Sequence, residues 1–159
     1  IISNFFSYNE KLMHFIWIGG EALLHKDDFF KQIIEFEKKY NFKKLKVSNS
    51  IQTNSFLADK SRLATLRNLG FKIGFSYDGL DKIQDKYRKN CFGKSTSQKV
   101  TTNLKNSLKD INQKQGVISV ITKDFLNNEE DIYNNLKNYA TVFSFNISYY
   151  NNNFNSGIF

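Results

Sequence analysis

The sequence predicts an α/β fold built on a parallel sheet. Two observations carry this: short apolar runs alternate with amphipathic helical stretches along the chain, and each apolar run stops at a cluster of polar residues or glycines. Such alternation favours βαβ units with right-handed crossovers. In sheets of this kind the carboxyl ends of the strands share one rim, where ligands bind. Polar residues far apart in sequence are therefore expected to converge.

Met13 to Ile18 is the first expected strand, a continuous apolar run like those covered on both faces. Asp27-Asp28 opens a helix, since acidic residues suit its positive end; Phe29, Ile33, Phe36 and Tyr40 recur on one face, and Lys38 and Lys39 suit the other end. Residues 45–51 form the second strand. Asp59 can cap the next helix, Leu63, Leu66 and Leu69 make its apolar stripe, and Gly70 ends it with a left-handed cap. Phe71 to Phe75 is the third strand. From Asp78 to Ser95 the chain reads as a polar loop with at most one short helical turn. A long helix from about Thr96 to Lys114 follows, with Val100, Leu104, Leu108 and Ile111 inward and Gly116 breaking it. Val117 to Ile121 is the fourth strand. Asn128 can cap a last helix, with Glu129, Glu130 and Asp131 in its first turn and Ile132, Leu136 and Tyr139 inward. Val142 to Ile147 is the fifth strand. Five strands and four helices thus form one domain over residues 1–150, and the Asn-rich tail, 151–159, is expected to be loose or to lead into a further region.

The 159 residues suffice for one core, and 40% hydrophobic with 16% aromatic residues marks a globular chain. No apolar run approaches the ~18 residues of a membrane span. Ile1-Ile2-Ser3-Asn4 has neither the features of a signal peptide nor an initiator Met, so the chain reads as starting inside a larger protein. The net charge of +8 would attract polyanions. Its lysines are spread over helix faces, however. The one dense cluster (Lys38, Lys39, Lys43, Lys44, Lys46) lacks interleaved Arg and aromatic residues, so nucleic acid is the less favoured partner. A single cysteine, Cys91, precludes an intrachain disulfide and fits a reducing, cytoplasmic compartment. With His14 and His25 it makes no usual metal site, and no metal ligand is assigned.

Three strand ends carry the candidate chemistry. Gly19-Gly20 lets a ligand approach the backbone, and Glu21 adds a charged acceptor; taken alone, a tight turn with a solvated acid is the plainer reading. Gln52-Thr53-Asn54 can line a site or cap the next segment. Ser76 offers a hydroxyl suited to a ribose, Asp78 can brace the loop as an Asx turn, and Arg88 can grip a carboxylate with two N–H groups. A turn followed by a surface salt bridge is the alternative. Neither a Gly-x-Gly-x-x-Gly nor a P-loop pattern is present, which weighs against a nucleotide-binding enzyme of those types.

In order, Phe-x-Trp-x-Gly-Gly-Glu (15–21), Ser-Ile-Gln-Thr-Asn (50–54), Gly-Phe-Ser-Tyr-Asp-Gly (74–79), Asp85 and Arg88 resemble the radical S-adenosylmethionine enzymes. The pattern is most similar to their SPASM-type branch, which includes anaerobic sulfatase maturases and modifiers of ribosomal peptides. The resemblance runs from about Phe15 to Tyr150. It implies a partial parallel (β/α)₆ TIM-like barrel with its first strand missing. It also implies S-adenosylmethionine as cofactor, its amino group at Gly19, Gly20 and Glu21, its ribose at Ser76 and its carboxylate at Arg88. Gln52, Thr53, Asn54 and Asp78 would share that rim, and backbone near Ile121-Thr122 and Ile147-Ser148 would approach the adenine. The implied chemistry is one-electron reductive cleavage of the cofactor, giving a 5′-deoxyadenosyl radical that takes a hydrogen atom from a peptide or protein substrate. An electron donor such as a flavodoxin or ferredoxin would supply the electron.

The family's Cys-x₃-Cys-x₂-Cys loop, whose thiolates hold a [4Fe–4S] cluster, is absent. Cys91 lies elsewhere and does not substitute for it. The cluster's ligands, the first strand and the auxiliary-cluster region are therefore expected outside this chain, which reads as an internal fragment, inactive by itself. Three residues depart from the family pattern within the match: Ile18 for His or Gln, Ala22 for Pro and Ser55 for Gly. A non-catalytic barrel module for a peptide or polyanion is the alternative reading, and no catalytic residue is assigned.

Overall fold

The structure is a computed structural model; it describes residues 4, 6, 11–109 and 115–147. Ten regular elements follow in order: β1 (Leu12–Trp17), α1 (Asp27–Tyr40), β2 (Lys46–Thr53), α2 (Lys60–Asn68), β3 (Phe71–Ser76), α3 (Asp81–Tyr87), α4 (Ser97–Lys109), β4 (Gly116–Ile121), α5 (Glu129–Leu136) and β5 (Val142–Ile147). Single 3₁₀ turns at Ala22–Leu24 and Lys123–Phe125 follow β1 and β4. The five strands form one sheet in the order β1-β2-β3-β4-β5, every neighbouring pair parallel. This is the α/β, parallel, barrel-type architecture that the sequence predicts.

Side chains alternate across each strand, so one face of the sheet meets the helices. Ile51, Phe71, Phe75 and Val117 on that face pack in one core with Phe30 and Ile33, Leu63 and Leu66, Val100 and Leu104, and Ile132 and Leu136 from four helices. Burying each such side chain contributes about 1.5–3 kcal/mol. The other face carries the half-buried Ser50, Gln52, Gly74 and Ser76.

Two predicted caps are present: Asp59 Oδ1 accepts from Arg62 N at 2.9 Å, and Gly70 ends α2 with φ +87°. Several details differ. β1, one of the two edge strands of the described sheet, is not covered on both faces: exposure alternates along it, and Leu12 and Ile16 are 54% and 60% exposed. Along α1 the buried stripe is Phe30, Ile33 and Glu37; Phe36 lies off it and is exposed. Glu37 is accommodated by Asn49, whose Nδ2 donates to both carboxylate oxygens at 2.9 and 3.1 Å while its Oδ1 accepts from Trp17 Nε1 at 2.9 Å. Burial raises the Glu37 carboxyl above its ordinary value, with the Asn49 bond opposing.

The polar stretch after Asp78 contains the seven-residue α3. Gly116 belongs to β4 and does not merely break the preceding helix. Leu108 is only half-buried, because Asn103 and Ser107 take the inward positions beside Val100 and Leu104. Ile111, Lys114 and the 151–159 tail lie outside the described residues. Asn128 does not cap α5 with its side chain: Oδ1 takes Lys82 Nζ at 2.7 Å, and Nδ2 donates to Asp124 O at 3.0 Å. Among the described residues no helix is long and apolar enough to cross a membrane.

Candidate functional site

Parallel pairing sets the strand ends side by side. Trp17 is in register with Ile51, Thr53 with Phe75, and Ser76 with Ile118, so the residues that follow β1, β2 and β3 share one rim. Gly19 and Gly20 turn there with φ of +100° and +52°, values that favour glycine, and a Cβ at either would meet nothing within 4 Å. The two residues border open space on the rim.

Glu21 is less free than its sequence context suggests. Its Oε1 accepts from Leu23 N at 2.9 Å and Thr53 Oγ1 at 2.7 Å, and its Oε2 accepts from Asn54 N at 2.8 Å. The carboxylate thus ties the end of β1 to the end of β2. A carboxylate has about four acceptor positions, so one remains on Oε2. Thr53 also accepts from Ser55 N at 3.1 Å, and Asn54 Oδ1 accepts from Phe56 N at 3.0 Å, which holds the turn after β2. Gln52 reaches the next strand, its Nε2 donating to Ser76 Oγ at 3.0 Å.

Asp78 does not form an Asx turn. It is buried, and its carboxylate accepts from Arg88 Nε at 2.6 Å, Arg88 Nη2 at 3.0 Å and Val120 N at 3.1 Å. A buried carboxylate needs such a partner, and the cation ten residues on supplies it. Arg88 therefore spends two of its five N–H donors on Asp78 and keeps three. The pair closes the 76–88 segment into a loop and fastens it to β4.

Other side chains brace this loop; the sequence pattern contains Tyr77 and Asp85 without showing what they bond to, and Gln84 and Asn135 were not singled out in it. Tyr77 OH donates to Asp81 Oδ1 at 2.9 Å, and Asn135 Nδ2 on α5 reaches Tyr77 OH at 3.2 Å and Gly79 O at 2.6 Å. Burial and the neighbouring Asp81 carboxylate raise the Tyr77 hydroxyl far above its ordinary value, so it stays protonated. Gln84 Oε1 accepts from Asp78 N at 3.2 Å. Asp85 accepts from Thr96 N, Ser97 N and Ser97 Oγ at 2.8, 2.9 and 2.6 Å, and so caps α4 from α3. Burial opposes its charge, yet those bonds prevail and hold the carboxyl below its ordinary value. A signal for Asn135 was available only as a buried-face position of α5; nothing in the sequence pairs it with Gly79.

Of the two expected adenine-side segments, Thr122 directly follows β4 and its buried hydroxyl has no partner among the described residues, Ile147 is exposed, and Ser148 lies outside the described residues. An orphaned hydroxyl of this kind costs about 1–3 kcal/mol and suits a site that a ligand completes. The rim thus gathers an open carboxylate position, a serine hydroxyl, a guanidinium with spare donors and glycine-lined space. Together these can hold an amino-acid head and a sugar. Among the described residues no three His, Cys, Asp or Glu side chains group so as to hold a metal, and Cys91 is exposed.

No family model matches the chain. It is 32% identical over 133 residues to the cysteine-type anaerobic sulfatase-maturating enzyme of Clostridium novyi (strain NT), an overlap of 84% of this chain and 35% of that protein. It is 41% identical over 86 residues to the cysteine-type enzyme of Clostridium perfringens (strain 13 / Type A), covering 54% of this chain and 23% of the relative. To the serine-type enzyme of Bacteroides thetaiotaomicron it is 32% identical over 123 residues, 77% of this chain and 29% of the relative. The solved structure of native anSMEcpe with bound AdoMet and Kp18Cys peptide superimposes with a TM-score of 0.84 at 28% identity, over 92% of this chain and 40% of that one. The chain thus spans well under half the length of the relatives it matches. By sequence and by fold, it is a homologue of the anaerobic sulfatase-maturating enzymes and belongs to the radical S-adenosylmethionine family.

Proposed function

We propose that residues 1–150 are the cofactor-cradling part of a radical S-adenosylmethionine enzyme that modifies a side chain of a peptide or protein. What supports the reading is the convergence of three strand ends, cross-linked as Glu21 to Thr53 and Asn54, Gln52 to Ser76, and Asp78 to Arg88 and Val120. S-adenosylmethionine suits the groups left open there. The glycine turn and Glu21 Oε2 would take its ammonium, Ser76 its ribose, the spare donors of Arg88 its carboxylate, and Thr122 the adenine side. When bound, that cofactor supplies one-electron cleavage and hydrogen-atom abstraction; the residues named here bind and orient it. The described residues do not fit a [4Fe–4S] cluster, since no three His, Cys, Asp or Glu side chains group among them.

A peptide substrate is supported by the relative solved with a bound peptide. A reducing, cytoplasmic setting and a one-electron donor such as a flavodoxin or ferredoxin go with this chemistry. A non-catalytic peptide-binding module is the second reading, favoured by Ile18, an aliphatic side chain 70% exposed beside the glycine turn. Calorimetric titration of the 159-residue chain with S-adenosylmethionine separates the two. Saturable one-to-one heat that methionine and adenosine do not reproduce supports the first, and its absence contradicts it.

A further inference from the structure

Gln52, Gly74 and Ser76 form a unit on the open face of the sheet. Gln52 is in register with Gly74, and its side-chain amide lies over the glycine: a Cβ at Gly74 would stand 2.3 Å from Gln52 Oε1 and 3.3 Å from Cδ. Gly74 is not among the glycines with positive φ, so its backbone does not require glycine. The missing side chain itself is what the strand uses, since it clears the path by which Gln52 Nε2 reaches Ser76 Oγ at 3.0 Å.

The direction of that bond matters. A serine hydroxyl has one proton to give and two acceptor positions. The amide N–H occupies an acceptor position, and among the described residues no group accepts the Ser76 proton. Ser76 therefore faces the rim as a donor. That free proton suits an ether or hydroxyl oxygen of a sugar, and the second acceptor position stays open to a sugar hydroxyl.

We propose that Gln52 is a positioning residue which fixes Ser76 as a hydrogen-bond donor to a ribose oxygen of the ligand, and that Gly74 is the space this arrangement needs. The inference rests on the adenosyl reading above, and it adds a specificity device to it.

The test uses the 159-residue chain and calorimetric titration with S-adenosylhomocysteine and its 2′-deoxy and 3′-deoxy analogues. The unaltered chain is expected to bind the full ribose form about three- to tenfold tighter than one deoxy analogue, the effect of one neutral hydrogen bond. Gln52→Ala should make the two affinities about equal, as should Gly74→Ala, which displaces the amide while keeping it. Gln52→Glu nearly preserves shape but accepts the Ser76 proton, so it should also erase the preference; a purely structural role would leave the preference intact. Circular dichroism checks that each variant folds, and Gln52→Ala decides if Gly74→Ala does not. An unchanged ribose preference in Gln52→Ala, with normal binding, overturns the role of Gln52 alone. Failure of the unaltered chain to bind any of the three ligands overturns the adenosyl reading and this inference together.

Discussion

Ser55 sits fully buried at φ +69°, and among the described residues its hydroxyl has no hydrogen-bond partner. Left-handed backbone is costly for a residue with a Cβ, and an unmet buried hydroxyl adds about 1–3 kcal/mol. The family places glycine here, and the backbone shows why. Ser55→Gly should raise stability by about 1 kcal/mol once glycine's extra chain entropy is deducted; an unchanged denaturation midpoint would contradict the reading.

Two carboxyls pull stability in opposite directions with pH. The Asp85 pKa lies below its ordinary 3.8, so its contribution is complete above that value and is lost as pH falls through the lowered folded value. Glu37 lies above its ordinary 4.5, so its contribution is complete below that value and is lost as pH rises through the raised one. Urea denaturation across about pH 3 to 8 should show Asp85→Asn flattening the acid-side loss and Glu37→Gln flattening the other. Unaltered profiles would remove both groups from the account. Neither effect was readable in the sequence, because Glu37 sits mid-helix among ordinary surface acids and only the fold turns it inward.

At the scale of elements, apolar runs and amphipathic spacing were enough to place all five strands and four of the five α-helices. They misled where packing is asymmetric or polar. β1 looks doubly covered by its composition, yet the described residues cover one face. α3 was largely hidden because it is short and buries only Ile83 and Gln84; its own polar side chains hold it instead, Gln84 and Asp85 accepting from the backbone N–H groups of Asp78 and Thr96. The clamp from α5 belongs to this scale. Gly79 has φ +85°, and a Cβ there would stand 2.4 Å from Ile132 Cγ2, while Asn135 holds its carbonyl. Gly79→Ala should cost about 1–3 kcal/mol and Asn135→Ala about 1–3 kcal/mol. Both should speed amide exchange across 77–88, and exchange limited to α5 itself would show that the clamp does not hold the loop.

At the scale of the molecule, much of the rim could be read beforehand, because parallel strands deliver their ends to one place and those ends carry polar clusters. What the residues bond to could not be read. Asp78 was expected in a turn and instead holds Arg88; Glu21 was expected to face solvent or ligand and instead joins two strands. Such pairings depend on register and loop path, which linear spacing does not encode. The whole chain carries one cysteine. With iron, sulfide and reductant it should therefore form no 5′-deoxyadenosine from S-adenosylmethionine, and detection of that product by chromatography would show that a cluster can be held without the expected thiolates.

The central claim is that one rim gathers around a single adenosyl ligand. Amide chemical shifts followed by NMR during titration of the 159-residue chain with S-adenosylmethionine test it most directly. The account predicts that Gly19, Gly20, Asn54, Ser76 and Thr122 shift together and fit one dissociation constant. Shifts that are absent, or that scatter to the far ends of the strands near Lys46 and Lys72, would contradict it.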